Sequence, residues 1–191
     1  MDEKITIFSF VKRKIAELDA DTASARAACA RLRRAVGKPL ESCADIWDFT
    51  ISGSPEQWNS FEGKPSREEK AVHTALTLYA LHRQSKASSM STDNVSFGSA
   101  LAKLKQSKPN SEEAIKRRFN AAATSVDYTE LSYHVRGLVS LLKSDDIKMD
   151  YPRFAVDLFW FQFPEYADRV RLRWGEDFYR SNDDKKGSDD E

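Results

Sequence analysis

Apolar residues recur along this chain at three- and four-residue intervals, with no sustained period-two alternation, so the pattern predicts helices from end to end. Ile7, Phe8, Val11, Ile15 and Leu18 predict a first helix over 5–18. The next, over 22–36, is capped by Asp21 or Thr22 and sorts into two arcs. Ala25, Ala28, Cys29, Leu32, Ala35 and Val36 fall on one, Arg26, Arg31, Arg33 and Arg34 on the other; Gly37 ends the helix and Pro39 follows. A short apolar segment over 40–49 leads into a loop over 51–66 rich in Gly, Pro and Ser. Ser66-Arg67-Glu68-Glu69 is a capping box. The helix it opens runs to about residue 83, and its apolar band is wide enough to require burial on more than one side.

A polar stretch over 84–95 is read as a flexible loop. Beyond it, 96–105 carries Phe97, Ala100, Leu101 and Leu104 on one face, with Lys103 and Lys105 on its flanks. Pro109-Asn110-Ser111 breaks the chain and caps a helix in which Ile115, Phe119 and Ala122 face inward, Arg118 sits at the edge and Arg117 points out. The helix over 127–143 buries Tyr128, Leu131, Val135, Leu138, Val139 and Leu142, and places Arg136 and Lys143 on one flank beside Ser132. Asp150 caps a helix with Pro152 in its first turn. Its run from Phe154 to Phe163 is apolar all round and calls for deep burial or an interface. Pro164 starts the last helix, with Ala167, Val170, Trp174 and Phe178 inward and Arg169, Arg173 and Arg180 as an outer stripe. The expected fold is all-α, a bundle of eight or nine helices. The expected division is an N-terminal helical lobe over 1–83, the flexible loop over 84–95, a C-terminal helical lobe over 96–180 and a disordered acidic tail over 181–191.

Composition changes this picture in two places. With 191 residues, 40% of them apolar, the chain can build a full core. Thirty basic and thirty acidic residues balance, which argues against a general DNA-coating protein. The balance is uneven, however: the tail holds five acids against two lysines, and the run from Arg26 to Lys38 holds five basic residues and no acid. The two cysteines, and a start with acids where a secretion signal has bases, point to a reducing cytoplasm. No run approaches the ~20 apolar residues of a membrane span, so no membrane role is expected.

Chemistry is sparse. His73 and His82 lie nine apart on one helix and cannot form the i, i+4 pair of a helical zinc site. The cysteines show no Cys-x-x-Cys spacing, and no phosphate loop, dinucleotide fingerprint or nucleophile elbow is present. Paired acids such as Glu68-Glu69 and Glu112-Glu113 sit at helix starts, where the helix dipole favours them. The sequence gives no support for an enzyme, and neither metal nor cofactor is expected. The basic flanks remain. Arg26 and Arg33 repeat at i, i+7, and the planar fork of arginine matches phosphate oxygens. A nucleic-acid backbone presents regular charges that such a row can neutralise. No aromatic platforms are evident among these basic residues, which favours backbone tracking over base reading.

The order and spacing of five segments resemble a known family. These are Ala30–Pro39 (ARLRRAVGKP), Ser96–Leu104 (SFGSALAKL), Glu112–Ser125 (EEAIKRRFNAAATS), Leu131–Lys143 followed by Asp150–Phe161 (DYPRFAVDLFWF), and Arg169–Arg180 (RVRLRWGEDFYR). Together they resemble the CasB family, the small subunit of the type I-E CRISPR surveillance complex Cascade. The resemblance implies a non-catalytic helical protein that stacks as two copies within the complex, among the other Cascade subunits. It also implies a basic surface beside the CRISPR guide RNA and target strand that helps hold the displaced non-target DNA strand. The family's basic positions carry over onto Arg33 and Arg34, Arg117 and Arg118, and Arg136. Where many relatives have a second basic residue after the last of these, this chain has Gly137. Helical faces add Arg26, Lys38, Lys103 and Lys143. The alternative is a protein–protein scaffold that docks partners through Phe159 and Trp160 and has no direct nucleic-acid role.

Overall fold

The apolar spacings become nine α-helices in the computed structural model, which describes residues 5–180. They are α1 (Ile7–Asp19), α2 (Ala23–Arg34), α3 (Trp47–Thr50), α4 (Arg67–His82), α5 (Phe97–Ser107), α6 (Glu112–Ala123), α7 (Tyr128–Ser144), α8 (Tyr151–Phe161) and α9 (Pro164–Arg180). No strand is present among the described residues; only isolated bridges occur. The bundle is all-α, as the periodicity requires. The expected acidic tail lies outside the described residues.

Most boundaries follow from local chemistry. Thr6 caps α1, and its hydroxyl and amide exchange hydrogen bonds with Ser9. Both bonds of the box at Ser66 form: the Glu69 amide donates to Ser66 Oγ at 3.1 Å, and the Ser66 amide to Glu69 Oε2 at 2.7 Å. Asp127 and Asp150 accept from the amides of Glu130 and Arg153, each at 2.9 Å. Ser111 departs from expectation. Pro109–Ser111 turns into a 3-10 helix that runs straight into α6, and the Ser111 side chain makes no capping bond. The segment over 40–49 forms two 3-10 turns and the short α3.

The wide apolar band of α4 is explained by its position, packed against α1, α2, α7 and α8 together. Ala71, Val72, Ala75, Leu76, Leu78, Tyr79 and Ala80 are all buried. Helices α4 and α7 run side by side in the same direction. At one end the Tyr128 hydroxyl reaches the Lys70 carbonyl at 3.2 Å, and at the other Lys143 Nζ reaches Gln84 Oε1 at 2.8 Å.

Residues 84–95, polar in composition, are tied down. The amides of Thr92, Met149 and Asp150 bond to the carbonyls of Met149, Met90 and Val95. Met90 itself is buried. Helix α9 closes the other side against α5 and α8. Trp174 is fully buried there, its ring 5.0 Å from Phe97, and its Nε1 donates to Asp157 Oδ2 at 2.6 Å. Where α5 meets α9 the backbones nearly touch: a Cβ on Gly98 would stand 2.4 Å from the Trp174 carbonyl oxygen.

Candidate nucleic-acid interface

The run from Arg26 to Lys38 has no acid within it, but folding supplies acids from either side. Arg26 pairs with Asp21 at 2.6 Å, immediately ahead of α2. Arg31 reaches Asp48 at 3.3 Å and donates to the Asp45 carbonyl at 2.8 Å. Arg34 lies 3.8 Å from Asp45. The segment over 40–49 folds back along α2 and brings these carboxylates with it. Arg33, half-buried, has no carboxylate partner among the described residues. The expectation of an uncompensated arginine row therefore fails at Arg26, Arg31 and Arg34, and Arg33 alone of the four lacks a carboxylate partner among the described residues.

The expected outer stripe of α9 is also largely engaged. Arg173 pairs with the buried Asp157, and Arg180 with Glu176 at 3.2 Å. Burial raises the Asp157 pKa, and the Trp174 and Arg173 donors oppose that rise. Arg169 lies over the Tyr166 ring.

Seven of the nine sequence candidates have no carboxylate partner among the described residues: Arg33, Lys38, Lys103, Arg117, Arg118, Arg136 and Lys143. Lys103 on α5 and Arg117 and Arg118 on α6 are exposed. Lys143 is half-buried and bound to the Gln84 amide.

Lys38 and Arg136 both line a cleft of about 410 Å³. Its walls are the turn after α2, the outer face of α4 and the first half of α7. Ser132 and Arg136 both line it, as their shared flank on α7 predicts, whereas Lys143 lies at the far end of that helix. The turn is shaped by Gly37, whose φ of +77° favours glycine. A Cβ there would sit 3.4 Å from the Arg136 guanidinium, so the arginine packs over the turn's backbone.

Buried His73 holds the turn in place. Its Nε2 lies 2.9 Å from the Lys38 carbonyl, an acceptor, so that nitrogen carries the proton. Burial lowers the pKa of His73 and keeps the ring neutral. On the other wall the Tyr128 hydroxyl bonds the Thr74 hydroxyl at 3.0 Å.

Two residues of this surface escaped the sequence reading. Lys70 lines the cleft, exposed and without a carboxylate partner among the described residues. Tyr133, 75% exposed, stands on the same wall as Arg136. An aromatic ring does therefore accompany the basic residues, contrary to the reading from sequence. The i, i+3 spacing of Tyr133 and Arg136 was the available signal.

A second surface lies at the junction of α8 and α9. Much of the apolar run from Phe154 is buried, but Trp160 is 38% exposed. It clusters with Phe159 and Tyr166 at ring distances of 5.0 and 4.8 Å. Arg67 lies over Phe163, 4.3 Å from its centroid.

Among the described residues no three His, Cys, Asp or Glu side chains gather in a way that would hold a metal ion, and no helix is long and apolar enough to cross a membrane.

Comparison with known proteins gives a consistent result. The family model for CRISPR-associated protein Cse2 matches residues 28–179. No curated protein matches. The crystal structure of CasB from Thermobifida fusca is 32% identical, with a TM-score of 0.74, covering 90% of this chain and 97% of that one. A Cse2-family CRISPR-associated protein from Thermus thermophilus is 20% identical, with a TM-score of 0.65 over 91% and 96% of the two chains. A chain of a CRISPR RNA-guided surveillance complex shares the fold at 19% identity, with a TM-score of 0.71 over 92% and 95%.

Proposed function

The chain belongs to the CRISPR-associated Cse2 (CasB) family, and from that premise we propose that it is a non-catalytic subunit of a CRISPR effector complex that holds nucleic-acid backbone on a basic helical surface. The partners are guide RNA with its target strand and the displaced non-target strand, with a second copy of this chain and other subunits completing the assembly. The observation that carries the reading is the set of cations without a carboxylate partner among the described residues, above all Lys38 and Arg136, which line one cleft. Cations already bound to carboxylates have their charge answered within the protein. Unpaired ones take up phosphate and release its counterions. The near-neutral total fits modest binding by the isolated chain, with affinity built up in the complex.

The test is a salt titration of single-strand binding. Replacing Lys38, Arg117, Arg118 and Arg136 with Ala should lower the slope of log K against log salt by about one for each phosphate no longer held. An unchanged slope overturns the reading.

The aromatic cluster around Trp160 favours a second role, docking a protein partner. Trp160→Ala should then impair assembly while leaving the salt slope intact.

A further inference from the structure

We propose that the cleft walled by the turn after α2, by α4 and by α7 receives one extruded base of a bound single strand, while Lys38, Lys70 and Arg136 hold the phosphates on either side of it. This rests on the nucleic-acid reading above and adds to it a place for a base. The volume of about 410 Å³ falls within the range of small-ligand sites. The rim and the interior differ in chemistry. Lys38, Lys70 and Arg136 belong to three different elements and have no carboxylate partner among the described residues. Val36, Pro39, Leu40 and Leu78 contribute apolar wall to the same cleft. A phosphate group in such an interior would lose its water for little return. A flat aromatic base loses far less, and Tyr128 and Tyr133 offer rings on the α7 wall.

Several hydroxyls of the cleft are already used. Thr77 Oγ1 donates to the His73 carbonyl at 2.8 Å, Ser132 Oγ to the Tyr128 carbonyl at 2.8 Å, and the Tyr128 hydroxyl to Thr74 Oγ1. Those donors are committed to the protein's own backbone and side chains, so stacking rather than hydrogen bonding to base edges carries most of the contact, and the cleft confers little sequence preference. That is the behaviour required of a surface that must hold strands of changing sequence. Glu41, the one carboxylate residue lining the cleft, belongs to the turn after α2; its charge repels phosphate and directs the backbone toward the Lys70 and Arg136 side.

The experiment uses the full chain and two strands of equal length and charge. One carries bases; the other is a sugar–phosphate strand without them. The strand with bases should bind about tenfold tighter, at the same salt slope. Thr129→Trp, at an exposed position lining the cleft, should fill it and bring the two strands to equal affinity without changing the slope. Tyr133→Ala, at an exposed position that folding does not depend on, should shrink the preference several-fold and serves if the bulkier variant fails to fold. A 5-iodouracil strand should photo-crosslink to Tyr128 or Tyr133. Equal binding of both strands by the unmodified protein, with a normal salt slope, overturns the base site and leaves the backbone reading standing. A preference that survives both variants, or a crosslink confined to another surface, also overturns it. Salt-independent binding of either strand overturns both readings.

Discussion

The arginine flank of α2 and the cleft wall on α7 make an instructive pair. Along the chain α2 is the more basic, with four arginines and no acid between Ala23 and Arg34. In space three of the four are answered, by Asp21, Asp45 and Asp48. Helix α7 offers only Arg136 and Lys143 over 17 residues, yet Arg136, without a carboxylate partner among the described residues, lines the same cleft as Lys38, which also lacks one. Charge density in sequence therefore measures how many cations a segment has and says little about how many are available. Availability depends on which acids the fold returns to the same place. An ion pair at the surface contributes little to stability, about 0–1 kcal/mol, so its main consequence here is to remove charge from the binding surface.

The comparison can be tested from its strongest to its weakest consequence. The most structural arginine is Arg173. Asp157→Ala would leave it and Trp174 Nε1 facing a buried vacancy, and should cost about 3–5 kcal/mol in denaturant unfolding. Arg136→Ala should lie within about 0.5 kcal/mol of the parent. A comparable loss in both would erase the distinction between tied and available cations.

Gly98→Ala comes next. The clash is with the backbone of α9, which cannot rotate away, and the loss should approach about 3 kcal/mol by the same measurement. A neutral result would show that α5 and α9 are held less closely than 2.4 Å implies.

Acid should loosen the end of α4 near Lys143. His82 is fully buried, and burial, aided by Lys86, lowers its pKa to about 4. The unfolded chain binds a proton there near pH 6.5 while the folded chain resists it. Stability is therefore fully present above about pH 6.5 and declines toward pH 4, by roughly 3 kcal/mol. His73 adds in the same direction. The melting temperature should fall over that window, and a His82→Gln variant should flatten the fall.

Gly137→Lys addresses the gap left by the missing second basic residue. A Cβ there meets nothing within 4 Å, so the variant should fold, gain about 0.5–1 kcal/mol of helix stability and steepen the salt slope by up to one. The smallest expected effect is the sharpest check on the comparison. Arg26→Ala with Arg34→Ala should leave the salt slope unchanged, whereas Lys38→Ala with Arg136→Ala should lower it by about two. Equal losses would mean that ion pairing does not withdraw these arginines from binding.

Much of the fold was legible because it depends on neighbours in sequence. Apolar spacing located α1, α2 and α4 to α9 to within a few residues, and the inward faces of α7 and α9 hold their expected side chains, down to Trp174 and Phe178. Legibility failed where a local signal competed with a distant partner. Ser111 could have capped α6, but the 3-10 turn before it prevailed. Met90, alone in a polar stretch, gave no sign that residues 84–95 would be bonded to Met149 and Asp150.

The candidate site was legible as a set of residue types and illegible as a place. Helical periodicity is a local property, so the chain by itself determined which side chains face inward and which basic residues stand on each flank. Whether a flanking cation remains unpaired is set by contacts between residues far apart along the chain, such as Arg34 with Asp45 or Lys38 beside Arg136. Coulomb attraction and packing act through space, and only the tertiary structure brings Lys38, Lys70, Tyr133 and Arg136 around one cleft.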